Sequence, residues 1–150
     1  IMDTSLLSPR ELREEIVRWF DDTGNHPAMA ISVISFGYKH GLPLDADLAV
    51  DVRFLPNPYW VESLAPLTGN DGPVRDYVLK WSITQKFLSK YLDLVEFLLP
   101  QYIKEGKQEV VIAIGCTGGR HRSVALANYV ADFIRNQGFV VNVEHRGLQK

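Results

Sequence analysis

The 150-residue chain contains one cysteine and no apolar run near the roughly 18 residues that a transmembrane helix needs. A single cysteine excludes an internal disulfide and fits a reducing compartment, so the cytoplasm is the predicted location. It also supplies too few sulfur ligands for a structural zinc site, and no metal is predicted. The sequence thus predicts neither a membrane protein nor a disulfide scaffold.

Familiar nucleotide-binding and hydrolase motifs are missing as well. The chain has no Gly-Lys-Ser/Thr triplet, which excludes a Walker A loop here, and no Gly-x-Ser-x-Gly elbow. The net charge of −2 argues against a nucleic-acid footprint spread over the whole surface. Charge is uneven, however, because residues 1–75 carry 6 Lys+Arg against 11 Asp+Glu, and residues 76–150 carry 10 against 7. This excess predicts either an ordinary solvated surface, which charge counting favours, or a basic patch that contacts RNA or phosphates.

The most informative segment is 110–124, which reads VVIAIGCTGGRHRSV. Its aliphatic start predicts a buried strand, and apolar periodicity from Arg122 to Asn136 predicts a helix. The loop between them carries small residues, a thiol, a hydroxyl, an imidazole and two guanidinium groups. Backbone N–H groups and the positive end of a helix dipole would converge there, so we expect an anion site with phosphate as its occupant. Arg122 could grip that phosphate through two parallel hydrogen bonds.

Strands alternate with helices along the rest of the chain. Predicted strands cover residues 28–36, 48–53, 109–115 and 139–143, and predicted helices cover 9–20, 73–81, a segment capped by Thr84 with a kink or break at Pro100, and 122–136. This order predicts an α/β fold, a three-layer sandwich with a largely parallel sheet.

Polar segments follow three of the predicted strands, at residues 37–47, 53–60 and 115–123. Ligands of open α/β sheets bind beyond the carboxyl ends of the strands, so these segments should converge on one pocket. Each also has a plainer interpretation. The Gly118–Gly119 pair suits a tight turn, and either His40 or His121 taken alone suits an ordinary surface histidine.

A catalytic alternative rests on the spacing of Cys116 and Arg122. The pattern C-x5-R followed by Ser123 is that of protein tyrosine phosphatases, in which a thiolate attacks phosphorus and the arginine holds the phosphate oxygens. A helix N-terminus and nearby cations would lower the pKa of the thiol. The leaving group would need an acid, for which the candidates are Asp45, Asp47 and Asp71. Gly115 stands where that family usually has histidine.

Five blocks of sequence carry a resemblance to a known family. They are FGYKHG (36–41), DAD (45–47), DVRFLPNP (51–58), LTG (67–69) and GCTGGRHRS (115–123), and they resemble the C-terminal domain of the RapZ/YvcJ family of bacterial nucleotide-binding and RNase adapter proteins. The resemblance covers residues 1–150 as one domain. It implies that residues 1–8 are a linker from an upstream Walker-type domain that binds ATP or GTP. It also implies a fold similar to the sugar-phosphate-binding part of phosphofructokinase.

The resemblance further implies a non-catalytic sensor, likewise cytoplasmic and oligomeric, with no cofactor in this domain. Its expected partners are a phosphorylated aminosugar, glucosamine-6-phosphate, together with a small regulatory RNA and an endoribonuclease. The implied sugar-phosphate ligands are His40, Thr117, Gly118, Gly119, His121 and Arg122. The implied RNA contacts are Arg120, Arg122, Arg146 and Lys150. The tail departs from the RNA-binding members, in which the segment matching 147–149 is more basic.

Overall fold

Four strands form one sheet in the computed structural model, which describes residues 29–149. The helix predicted over 9–20 and Lys150 lie outside the described residues. The strands are β1 (Ala30–Gly37), β2 (Leu48–Asp51), β3 (Glu109–Cys116) and β4 (Val141–His145), in the spatial order β2-β3-β1-β4. Every pairing is parallel, so all four carboxyl ends lie at one edge of the sheet.

Helices cover this sheet and complete a three-layer α/β sandwich, as predicted. They are α1 (Gly72–Leu79), α2 (Ser82–Glu105) and α3 (Arg122–Asn136), and short 3₁₀ turns occupy Tyr38–His40, Pro58–Trp60 and Arg146–Gln149. Helix α3 contacts β1, β3 and β4, and it forms the crossover from β3 to the parallel strand β4. The helix that follows the 115–123 loop is therefore anchored across three of the four strands.

Strand β3 and helix α3 are the most extensively buried elements around the 115–123 loop. Residues 110–114 of β3 are apolar and buried on both faces, which is typical of a parallel strand covered by helices. On α3 the inward stripe includes Leu126, Val130 and Ile134, spaced at helical intervals and buried against the sheet. The loop between these two elements is thus held at both ends by core packing.

Several element boundaries differ from the predictions. Strand β4 begins at Val141, two residues later than predicted, and β2 ends at Asp51 rather than at residue 53. Helix α2 begins at Ser82, before the predicted cap Thr84, and it continues through Pro100 without a break. The prediction from Pro100 considered only the local backbone. Leu99 and its neighbours bury a full apolar face, which outweighs the hydrogen bond that proline cannot make.

Gly119 offers a test of how tightly the loop packs. It has φ +75°, and a Cβ there would lie 2.5 Å from the backbone nitrogen of Gly37. Gly106 also has positive φ, +91°, but open space surrounds its Cβ position. Gly106→Ala should therefore lower the free energy of unfolding by about 1–2 kcal/mol, from backbone strain alone. Gly119→Ala should cost about 1–3 kcal/mol more, because of the clash. Urea denaturation measures both, and equal losses would contradict close packing at Gly119.

Candidate functional site

Three polar segments meet at the carboxyl edge of the sheet. The Lys39 N–H donates to the Thr117 carbonyl at 3.3 Å, and the Val52 N–H donates at 2.9 Å to the carbonyl of Gly115, the last residue but one of β3. The side chain of Arg122 donates to the Arg53 carbonyl at 2.7 Å. The predicted convergence of the segments that follow the strands is therefore present, with the 115–123 loop at its centre.

Arg122 is buried, only 4% exposed, and one of its nitrogens holds a neighbouring loop. Nη1 donates to the carbonyls of Arg53 (2.7 Å) and Leu55 (3.0 Å). Nη2 lies 3.5 Å from the Thr117 hydroxyl, a long contact, and Nε has no hydrogen-bond partner. The Nε–Nη2 edge of a guanidinium is one that binds carboxylates in a bidentate manner, as Arg53 does with Asp51 in this protein. Arg122 thus retains an edge with spare capacity for an oxyanion.

The start of α3 adds backbone donors to that edge. His121 is the N-cap residue and makes no side-chain cap, and the first turn contains no acidic residue. The Ala125 N–H bonds to the His121 carbonyl, so the three N–H groups before it are the orphan donors of a helix start. The helix dipole places partial positive charge at the same end. Geometry and charge therefore both favour an anion here.

The ring of His121 serves the neighbouring loop. It is 8% exposed, and Nε2 lies 3.1 Å from the Ala65 carbonyl, which only accepts, so Nε2 carries the proton. The Gly69 N–H donates to the Arg120 carbonyl at 2.8 Å. Together with Arg122, these contacts fasten the irregular connection from residue 53 to residue 69 at both of its ends. The 115–123 loop and the start of α3 therefore fix the position of this connection.

A cavity of about 210 Å³ opens beside the loop. Its lining residues are Phe36, Gly37, His40, Gly41, Leu42, Pro43, Arg146 and Gly147. Of the candidate site residues, His40 and Arg146 share this space, whereas Thr117, Gly118, Gly119, His121 and Arg122 belong to the adjoining loop. The sequence gives no reason to place Arg146 beside His40, because their proximity depends on the pairing of β4 with β1.

Two cationic side chains near the 115–123 loop, those of Lys39 and Arg53, were not among the predicted site residues. The Lys39 side chain lies over Gly118, its Cε 3.9 Å from where a Cβ would stand. Arg53 stacks on the Tyr38 ring at 4.1 Å and forms an ion pair with Asp51, and hydrogen bonds from Arg53 lower the pKa of that carboxyl. Lys39 lies in the block FGYKHG and Arg53 in the block DVRFLPNP, but no spacing rule connects either residue with the 115–123 loop.

The thiol that the phosphatase hypothesis needs is enclosed. Cys116 is 2% exposed, and its Sγ lies 3.1 Å from the hydroxyl of Ser123. A nucleophile must reach its substrate, so this position suits a buried structural cysteine better than an attacking thiolate. Arg122, by contrast, would serve either hypothesis.

The acids proposed for that mechanism are engaged elsewhere. Asp47 precedes β2, at the amino end of the sheet, where it pairs with Lys107 at 2.9 Å. Asp71 accepts a hydrogen bond from the backbone of Thr68, and Asp45 lies 4.0 Å from an arginine that follows β4. None of the three contacts the thiol or Arg122 in the part of the chain that the structure describes.

The predicted RNA contacts differ in how accessible they are. Arg120 is exposed and Arg146 is partly exposed, whereas Arg122 is only 4% exposed. Within residues 29–149 no helix is long and apolar enough to cross a membrane, and no cluster of three potential metal ligands occurs.

Comparison with known proteins shows the family. The model of the RapZ C-terminal domain matches residues 29–149, and the chain belongs to that family. Over all 150 residues it is 56% identical to a nucleotide-binding protein of Bacillus pumilus and 53% identical to one of Carboxydothermus hydrogenoformans. It is 54% identical to the nucleotide-binding protein YvcJ of Bacillus subtilis. The chain spans about half the length of these relatives, 50%, 52% and 50% respectively.

Buried histidines should make the stability depend on pH. Burial lowers the pKa of His121 and of His145, whose ring lies between Ser35 Oγ (2.6 Å) and Asn128 Oδ1 (3.1 Å). Because the unfolded chain then binds more protons, the free energy of unfolding should fall as the pH drops below about 6.5. Urea denaturation between about pH 5 and 7.5 measures this, above the range in which most carboxylates titrate. The slope should shrink in a His121→Gln/His145→Gln double variant, and an unchanged slope would contradict the assignment.

Proposed function

We propose that this domain is a regulatory sensor of a phosphorylated aminosugar, with glucosamine-6-phosphate as the first ligand to test. The observation that carries the proposal is the Arg122 guanidinium, which is buried and anchored through Nη1 while its Nε remains unpartnered. A buried charged donor without a partner is costly, and an oxyanion on this edge would satisfy it.

The remaining parts of the loop support an oxyanion of the size of phosphate. The Thr117 hydroxyl lies beside Nη2 of Arg122, and Lys39 lies over Gly118. Orphan N–H groups at the start of α3 add directional donors, which is how helix termini bind phosphates. Phosphate, rather than a carboxylate, makes use of donors arriving from several directions, because it has three or more terminal oxygens.

Sensing requires that the ligand change the relative stability of two states. Arg122 connects the loop to the carbonyls of Arg53 and Leu55, and His121 connects it to Ala65. A phosphate on Arg122 would therefore favour one arrangement of the 53–69 connection, and we assign partner binding to that connection. Contact with RNA through Arg120 and Arg146, and assembly into an oligomer, are further parts of this proposal.

Nucleotide binding, which the names of the relatives state, is proposed for the portion that this chain does not span. The chain has no Walker A motif and covers about half of each relative. The nucleotide would then be ATP or GTP, and the present domain would report metabolite supply to it.

Exchange of the buried arginine tests the proposal. Arg122→Lys should reduce the affinity for glucosamine-6-phosphate about tenfold or more, because lysine keeps the charge but loses the bidentate edge. Arg120→Ala, an exposed arginine of the same loop, is the matched control and should change affinity much less. Isothermal titration calorimetry measures both, with circular dichroism to confirm folding. Equal affinity of Arg122→Lys and the unaltered protein would refute the assignment.

A second measurement separates sensing from phosphatase chemistry. The sensor should release no phosphate from glucosamine-6-phosphate, and Cys116→Ser should bind it with unchanged affinity, because the buried thiol contacts Ser123 rather than the loop opening. Phosphate release by the unaltered protein that is lost in Cys116→Ser would replace the sensor by the catalytic alternative.

A further inference from the structure

The cavity beside the anion loop has the composition of a small polar ligand site. Leu42 and Pro43 form its apolar side. His40, which follows β1, and Arg146, which follows β4, are its charged or polar lining residues. Small-molecule sites combine mostly apolar walls with a few polar groups that fix orientation. At about 210 Å³ the cavity is smaller than the roughly 300–1,000 Å³ of sites for drug-sized ligands, and it suits a single sugar ring better than a nucleotide.

Shared backbone joins this cavity to the anion loop. Gly37 and Gly147, which line the cavity, pack directly on the loop, because a Cβ on Gly37 would clash with Gly118 and a Cβ on Gly147 would clash with Gly119. The turn Tyr38–His40 spans the same junction, with Lys39 over the loop and His40 in the cavity. A ligand whose phosphate binds at the 115–123 loop therefore has room for its sugar ring in the adjoining cavity.

Arg146 has hydrogen-bonding capacity to spare in that cavity. Its Nε donates to Glu144 at 3.0 Å, and its Nη1 forms a long ion pair with Asp45 at 4.0 Å, beyond hydrogen-bond distance. The terminal nitrogens thus make no hydrogen bond among the residues that the structure describes. Ring hydroxyl oxygens are suitable acceptors for such donors.

We infer that the site is bipartite: the anion loop binds the phosphate, and Arg146 together with His40 reads the ring hydroxyls of the same sugar phosphate in the adjoining cavity. This inference rests on the proposed function. It assigns Arg146 to ligand selection, a role distinct from the RNA contact that the family resemblance implies.

The test compares two probes that differ by the sugar ring, inorganic phosphate and glucosamine-6-phosphate. Amide NMR titration of the chain measures weak and strong binding alike. Arg146→Ala should weaken glucosamine-6-phosphate binding about tenfold, as expected for loss of hydrogen bonds from a charged donor, and should leave phosphate binding within twofold. Arg122→Lys should weaken both. Arg75→Ala, an exposed arginine beside Asp76 on α1, is the control and should weaken neither.

The outcomes distinguish failure of the proposed function from failure of the bipartite site alone. Failure of the unaltered protein to bind either probe would overturn the proposed function and the bipartite site together. Binding that Arg146→Ala leaves unchanged, or weakens equally for both probes, would overturn the bipartite site and leave the phosphate loop standing. Selective loss of sugar-phosphate binding, with the thermal melting temperature unchanged, would support it.

Discussion

One buried guanidinium organises the carboxyl edge of this domain. Arg122 begins α3, yet its Nη1 reaches across to two carbonyls beyond β2 and its Nη2 approaches the hydroxyl that follows β3. A positive charge in that position is tolerable only because backbone oxygens surround one side of it. Its Nε has no hydrogen-bond partner among the described residues, and this unsatisfied donor is the basis of the proposed anion site.

The parallel sheet makes this arrangement possible. Core packing of β3 and α3 holds the two ends of the loop, and β1 brings its own carboxyl end, with Lys39 and His40, alongside. The pairing of β4 with β1 then delivers Arg146 to the same edge. Residues separated by more than a hundred positions in sequence thus line one cavity, because parallel strands end together.

Local patterning was sufficient to predict the architecture. The apolar run of β3 and the stripe of α3 gave those elements almost to the residue, since burial against the sheet determines both. Local patterning did not predict that the helix continues through Pro100, and it misplaced boundaries of β2 and β4 by two residues, because tertiary packing modifies local propensity there. The 115–123 loop could be predicted as an anion site because its donors are contiguous in the sequence, and that prediction stays a prediction. Lys39, Arg53 and the cavity position of Arg146 could not be predicted, because their proximity exists only after strand order is known.

Under the proposed function, the same geometry would couple ligand binding at the 115–123 loop to the 53–69 connection. A ligand can shift an equilibrium only by its difference in affinity between two states. Arg122 and His121 carry the contacts that fasten the 53–69 connection, so any ligand that changes the hydrogen bonds of Arg122 changes the free energy of that connection as well. The exposed aromatic pair Tyr59–Trp60 lies within it. Under the proposed function, an apolar surface that varied with occupancy of the loop would give a direct physical route from the bound ligand to a partner.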